Sequence, residues 1–192
     1  MPPKAKFTKQ QIAEAGLDII RNEGMENLTA RALGKRLGSS ACPIFTVFEN
    51  MEEVQREILT LARKTYNEYT LKGLSETPTF KGTGAQYIHF AKNEPKLFQL
   101  LFMSEKLDTL TVDERLMLDD YYEDIVLSIQ NQYCLPRDSA HKLYRHLWIY
   151  THGIATLIAT NVCLFTDEEI SNMLTETFIG IFTKIKADTK LA

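Results

Sequence analysis

Few side chains in this sequence can do chemistry, and their spacing removes most of what they could do. His141, His146 and His152 are near neighbours, yet none stands four residues from another and no Glu-x-x-His pair occurs of the kind that builds a carboxylate-bridged metal bundle. They read as structural histidines, and neither a metal nor a cofactor is expected. The three cysteines at positions 42, 134 and 163 form no Cys-x-x-Cys, and an odd number gives no disulfide framework. Glu52-Glu53, Asp119-Asp120 and Asp167-Glu168-Glu169 read as helix N-terminal charges or solvated faces. No nucleophile, base and oxyanion donor can be assembled from these groups, so an enzyme has no support. Cys42 has one sharper alternative: in the first turn of a helix its thiol would ionise more readily and could sense oxidants. As a small filler in a contact surface it needs no such role.

What remains is the chemistry of recognition, concentrated in LTARALGKRLGSSACPIFTVF from Leu28 to Phe48. Leu28, Leu33 and Leu37 recur on one helical face, Gly38 can take the positive φ that ends a helix, and Ser39-Ser40 offers a hydroxyl cap for a second one. With Ser40 as N-cap, Pro43 falls at the third helical position, where its missing N–H has no intrahelical acceptor. The pattern is a helix-turn-helix, with a second helix expected from about Ala41 to Val47. Seven cations (Lys4, Lys6, Lys9, Arg21, Arg31, Lys35, Arg36) against four anions make residues 1–48 net positive by three, while the rest of the chain is net negative by six. Only this first quarter suits a phosphate backbone.

The elements that must hold this segment are helical throughout. At 192 residues and 44% hydrophobic content the chain can bury a core of its own. Thr8-Lys-Gln-Gln11 is a capping box opening a helix through Ile12, Ala15, Ile19 and Ile20, and Asn50-Met-Glu-Glu53 is another, opening a long helix to about Leu71. Lys72 to Gly84 carries turn formers throughout and reads as a loop. A third box at Thr83 to Gln86, Pro95 in a first turn, a fourth box at Thr111 to Glu114 before a helix of about twenty residues reaching Tyr133, and Thr166 to Glu169 before the last helix complete the pattern. The fold class expected is all-α with about nine helices. A boundary at residue 49 separates an N-terminal helix-turn-helix domain, 1–49, from a C-terminal helical domain, 50–192. The start of the chain lacks the pattern of a signal peptide, so a cytoplasmic protein is expected. The uncharged run Leu147 to Thr166 is long enough to span a bilayer but is punctuated by Thr, His, Asn and Tyr, so it reads as a buried or interfacial helix and no membrane partner is expected.

These N-terminal features together resemble the TetR family of bacterial one-component regulators. The residues that carry the likeness are Gly24, Thr29, Leu33, Gly38-Ser39-Ser40, Ile44-Phe45-Thr46-Val47-Phe48 and the cap Asn50-Met51-Glu52-Glu53. Trp148 with His152-Gly153 is similar to a Trp…His-Gly signature in the regulatory domain of one subgroup. The resemblance implies a homodimer that sets two recognition helices in successive major grooves of double-stranded operator DNA, with Thr29, Arg31, Ser39, Ser40, Ala41, Cys42, Phe45 and Thr46 at the DNA-facing positions. It also implies a repressor released by a small apolar or aromatic effector through a population shift. Candidate ligand-binding aromatics are Tyr87, Phe90, Phe98, Phe102, Tyr122 and Trp148. The chain departs from the pattern at Phe45 (usually Tyr), Met51 (often Lys) and Ser39 (usually β-branched), and these departures bear on phosphate affinity rather than fold. They favour one alternative, a ligand-binding helical protein of the same fold that has lost specific DNA binding. The Phe45 ring either flanks a DNA backbone or packs on Leu33 and Phe48. Dimerisation is expected through the last two long helices, with Ala155 and Ala159 at the seam.

If Arg31 neutralises one phosphate, Arg31→Ala weakens binding to all DNA sequences and lowers the slope of log affinity against log salt by about one. An unchanged slope in titrations at several salt concentrations removes Arg31 from the phosphate contacts.

Overall fold

The computed structural model describes residues 5–104 and 110–191. Lys4 and most of the expected loop between Met103 and Thr111 lie outside the described residues. Among those described the chain is all-α, with nine helices and no strand: α1 (Lys9–Glu23), α2 (Ala30–Arg36), α3 (Met51–Leu74), α4 (Thr79–Asn93), α5 (Pro95–Phe102), α6 (Val112–Met117), α7 (Tyr122–Tyr133), α8 (Arg137–Ala159) and α9 (Asp167–Leu191). Two compact units divide it, one of Met1–Thr65 with Glu94–Glu105, the other of Tyr66–Asn93 with Lys106–Ala192. The division falls within α3, and the boundary expected before Asn50 lies inside the first unit.

In the first unit α1 begins at a reciprocal cap, Gln11 N–H donating to Thr8 Oγ1 at 3.1 Å and Thr8 N–H to Gln11 Oε1 at 2.9 Å. Ile12, Ala13, Leu17 and Ile20 then face the core with Leu33, Ile44, Val54 and Ile58. α5 returns against α1, burying Leu97, Phe98 and Leu101, and Arg21 Nε donates to Glu94 Oε2 at 2.7 Å. α2 is capped by Thr29 Oγ1, which accepts from Ala32 N–H at 3.1 Å.

The second half of the helix-turn-helix pattern departs from expectation. Cys42–Thr46 is a 3-10 helix of five residues, preceded by Ala41 with no side-chain cap, so Ser40 does not serve as N-cap. Its ladder is Ile44 N–H to Ala41 O at 3.1 Å and Val47 N–H to Ile44 O at 3.2 Å. Pro43 removes one donor, and so short a segment closes i→i+3 bonds where an α ladder cannot repeat. Its start is pinned by a close approach, because a Cβ at Gly34 would lie 2.8 Å from the Ser40 carbonyl carbon and 2.9 Å from Ala41 N.

The second unit overturns two further expectations. The loop read at Lys72 to Gly84 is mostly helix, and α4 starts at Thr79, so Thr83 is no cap; its hydroxyl donates to Phe80 O at 2.9 Å inside the helix. The glycines read there as breakers serve packing: a Cβ at Gly73 would sit 2.6 Å from Thr83 Cα, and one at Gly82 would sit 2.5 Å from Gly73 O. The expected helix from Thr111 to Tyr133 is two helices, broken where Asp119 Oδ1 accepts the Tyr121 N–H at 2.9 Å and Asp119 O accepts that of Tyr122. The count of nine therefore survives by compensation, one expected α-helix being a 3-10 turn and another being two. Phe80, Leu116, Ile125, Val126, Ile129, Ala140, Leu143 and Ile185 form this unit's core. Among the described residues no helix is long and apolar enough to cross a membrane.

Because the atoms facing Gly34 are backbone and cannot rotate away, Gly34→Ala is expected to destabilise the first unit by about 1–3 kcal/mol, the usual cost of overpacking. Chemical denaturation followed by circular dichroism measures it. A neutral or stabilising alanine would show that the approach relaxes freely.

Candidate functional site

Two surfaces gather the residues singled out from the sequence, one in each unit. In the first, Thr29, Arg31, Ser40, Cys42, Phe45 and Thr46 are exposed and Ser39 and Ala41 half-buried. Phe45 is 44% exposed, so its ring is not packed away with Leu33 and Phe48, which are 0% and 2% exposed. Several polar groups here are already engaged. Thr46 Oγ1 donates to Pro43 O at 2.7 Å and Lys6 Nζ donates to Ser39 Oγ at 3.2 Å. Lys9 pairs with Glu53 and lies over the Phe48 ring, and Arg36 pairs with Asp18 at 3.1 Å. On α2 itself, Arg31 and Lys35 remain. They stand one turn apart on α2, exposed, and make no ion pair among the described residues.

The second unit holds a partly open cavity of about 290 Å³ between the end of α3 and helices α4, α7, α8 and α9. Phe80, Tyr144, Trp148, Phe178, Leu147 and Ile125 give it an apolar, aromatic wall. Of the expected ligand-binding residues, Tyr87 and Trp148 line it. The other four do not. Phe98 and Phe102 pack on each other in the first unit, their rings tilted by 42° with centroids 5.1 Å apart, Phe90 is fully buried behind Tyr66 and Tyr69, and Tyr122 turns to His141. The reading from sequence missed Tyr66, Phe80, Tyr133, Tyr144 and Phe178 on the wall; only Tyr133 and Phe178 carried a signal, the helical stripes of α7 and α9 on which they lie.

The phenols set the polar character of this cavity. Tyr66 donates to Asp119 Oδ2 at 2.7 Å, and Tyr87 pairs with His152 Nδ1 at 2.8 Å. Burial pushes the pKa of Tyr66, Tyr87 and Tyr144 well above the ordinary phenol value, so all three stay protonated. Burial, and after it the charge of Arg115, pushes the His152 imidazole below its ordinary value, which leaves it neutral and able to accept the Tyr87 proton. Trp148 stacks on His152 at 4.9 Å and 19°. The Tyr144, Thr70 and Thr151 side chains are 6%, 5% and 5% exposed and line the cavity, and their hydroxyls make no hydrogen bond among the described residues. Lys81, at the exposed edge, is the one charged residue on the wall; its Nζ lies 3.4 Å from Thr175 Oγ1.

His141 is held elsewhere, by Tyr122 at 2.7 Å and Asp113 at 3.2 Å. Among the described residues no group of histidine, cysteine and carboxylate side chains could hold a metal ion. No protein-family model and no curated protein matches the chain.

A histidine held neutral in the fold but free to protonate when unfolded binds fewer protons folded than unfolded, so its contribution to stability is present above the unfolded pKa of about 6.5 and declines as pH falls below it. The melting temperature is expected to drop between about pH 6.5 and 5, and His152→Gln to flatten that part of the profile. Glu53, Glu114 and Asp167, whose pKa values are lowered by their partners, act at more acid pH and leave this window clear. A His152→Gln profile parallel to wild type would exclude His152 as the source.

Proposed function

We propose that this chain is a TetR-like one-component transcriptional regulator, a repressor that binds operator DNA as a homodimer and is released when a small apolar or aromatic effector enters the cavity of its second unit. The observation that carries this reading is the pair Arg31 and Lys35, cations that make no ion pair among the described residues, on the helix that precedes the exposed Ser40, Cys42 and Phe45. Uncommitted cations release counterions when they meet phosphates, and the small side chains beside them fit the apolar contacts of thymine methyls. Effector binding would act by population shift, favouring dimers whose two DNA-binding units no longer match adjacent grooves. The second reading, a ligand-binding protein without specific DNA recognition, draws on the shortness of the Cys42–Thr46 turn and on the Thr46 hydroxyl being spent on Pro43.

The homodimer proposed here uses a different seam from the one expected. Ala155 and Ala159 are 0% and 1% exposed within the unit, so glutamate there would break its core rather than report on association. The face of α8 that points outward is Ile149, Gly153 and Leu157, and α9 adds Ile179 and Gly180. An uncharged helix has no polar face from which to tell these two sides apart in sequence. Outward apolar residues in a row of this kind suit a second copy of the same two helices.

Selection from a random pool of duplex DNA tests the main reading. Enrichment of a two-fold symmetric site with half-sites about one helical turn apart is expected, and no enrichment over the input pool leaves only the second reading. In the same sample Gly153→Glu, whose Cβ meets nothing within 4 Å, is expected to sediment as a folded monomer where wild type is a dimer. A dimeric variant would move the seam away from α8.

A further inference from the structure

The cavity rests on the reading above as an effector site, but its wall says more about what enters. We propose that it takes a neutral two-ring aromatic molecule bearing one hydrogen-bond-accepting oxygen, and that Tyr144 selects this molecule by donating its phenol proton to that oxygen.

Size comes first. An apolar cavity of about 150 Å³ holds a single benzene ring, and about 290 Å³ is close to twice that. Shape follows from the wall. Phe80 meets Tyr144 edge-on at 6.3 Å, and Trp148 stands on the same α8 face one turn further on, so flat apolar surface is presented to whatever lies between.

Hydrogen bonding then distinguishes the phenols. The protons of Tyr66 and Tyr87 are committed to Asp119 and His152. Tyr144, almost fully buried on the same wall, has a proton and no protein acceptor among the described residues; the buried Thr70 and Thr151 share that condition, and so does the phenol of Tyr133, which is only half-buried. A ligand oxygen placed there gains a hydrogen bond that a purely hydrocarbon ligand forgoes. Charge sets the last limit. The Asp119 carboxylate, hydrogen-bonded to Tyr66 at 2.7 Å, would repel an anion placed at that end, and among the described residues no acidic side chain lines the wall to hold a cation. Lys81, the single charge on the wall, is exposed and beside Thr175.

Equilibrium dialysis of the full chain against 2-acetylnaphthalene, its hydrocarbon isostere 2-isopropylnaphthalene, and 2-naphthoate tests the proposal. Trp148, the only tryptophan of the sequence, lines the cavity and its fluorescence reports whether the ketone sits there. The ketone is expected to quench Trp148 and to bind more tightly than either companion. Tyr144→Phe should weaken the ketone about fivefold, the usual worth of one neutral hydrogen bond, and leave the hydrocarbon within about twofold. The hydrocarbon thus doubles as the check that the variant is folded. Equal effects on ketone and hydrocarbon, tighter binding of 2-naphthoate that falls with Lys81→Ala, or no quenching by the ketone would each overturn it. Because none of these measurements involves DNA, a failed duplex selection with ketone binding intact strikes only the regulator reading, and the converse strikes only this one.

Discussion

Burying a tyrosine between helices strips water from its hydroxyl, and the second unit is arranged around where those hydroxyls go. Tyr66 finds Asp119, Tyr87 finds His152 and Tyr122 finds His141, each within 2.8 Å. Each pairing fixes something larger. Asp119 can meet Tyr66 because the chain leaves helical geometry between α6 and α7, which is the break that the hydrophobic periodicity of that segment conceals. His152 can accept from Tyr87 only while neutral, which burial and Arg115 ensure. Tyr144 alone of these four makes no hydrogen bond among the described residues, and it lines the cavity.

Close helix approach is the second organising constraint, and it works alike in both units. At Gly34 the absence of a side chain lets the backbone of Ser40 and Ala41 lie against α2, which fixes where the exposed Cys42–Thr46 turn begins. At Gly73 and Gly82 the same device brings α3 and α4 together on one side of the cavity. In each case a residue type that breaks helices in isolation is retained inside one, since the packing it permits offsets the roughly 1 kcal/mol it costs in helix propensity.

The two candidate sites therefore differ in kind. The first is an outward surface whose character comes from charges left over after local pairing: Lys9, Arg21 and Arg36 are engaged with Glu53, Glu94 and Asp18, while Arg31 and Lys35 on α2 make no ion pair among the described residues. The second is a sheltered volume whose character comes from hydroxyls left over after local pairing. Surplus partnering capacity, and not residue type alone, marks both.

Much of this was legible in the sequence, and the boundary of legibility is physical. Local chemistry was enough for the helix starts at Thr8, Thr29, Thr111 and Thr166, because a cap is satisfied by residues three positions away. The all-α class and the basic skew of residues 1–48 follow from periodicity and counting, which also need no tertiary information. What failed needed a neighbour from elsewhere in the chain. Gly73 and Gly82 read as a loop until each is seen against the other's helix; Phe98 and Phe102 read as ligand aromatics until α5 is found beside α1; Ala155 and Ala159 read as a seam until the two sides of an uncharged helix are told apart by what covers one of them. The 3-10 turn at Cys42–Thr46 depends on Gly34 across the turn, and which hydroxyls of the cavity wall stay unpaired depends on Tyr66 and Tyr87 having taken Asp119 and His152. Sequence determined where the helices with side-chain caps begin and what charge each segment carries; only the tertiary structure decided which polar groups were left without a partner, because pairing is a property of two segments and not of one.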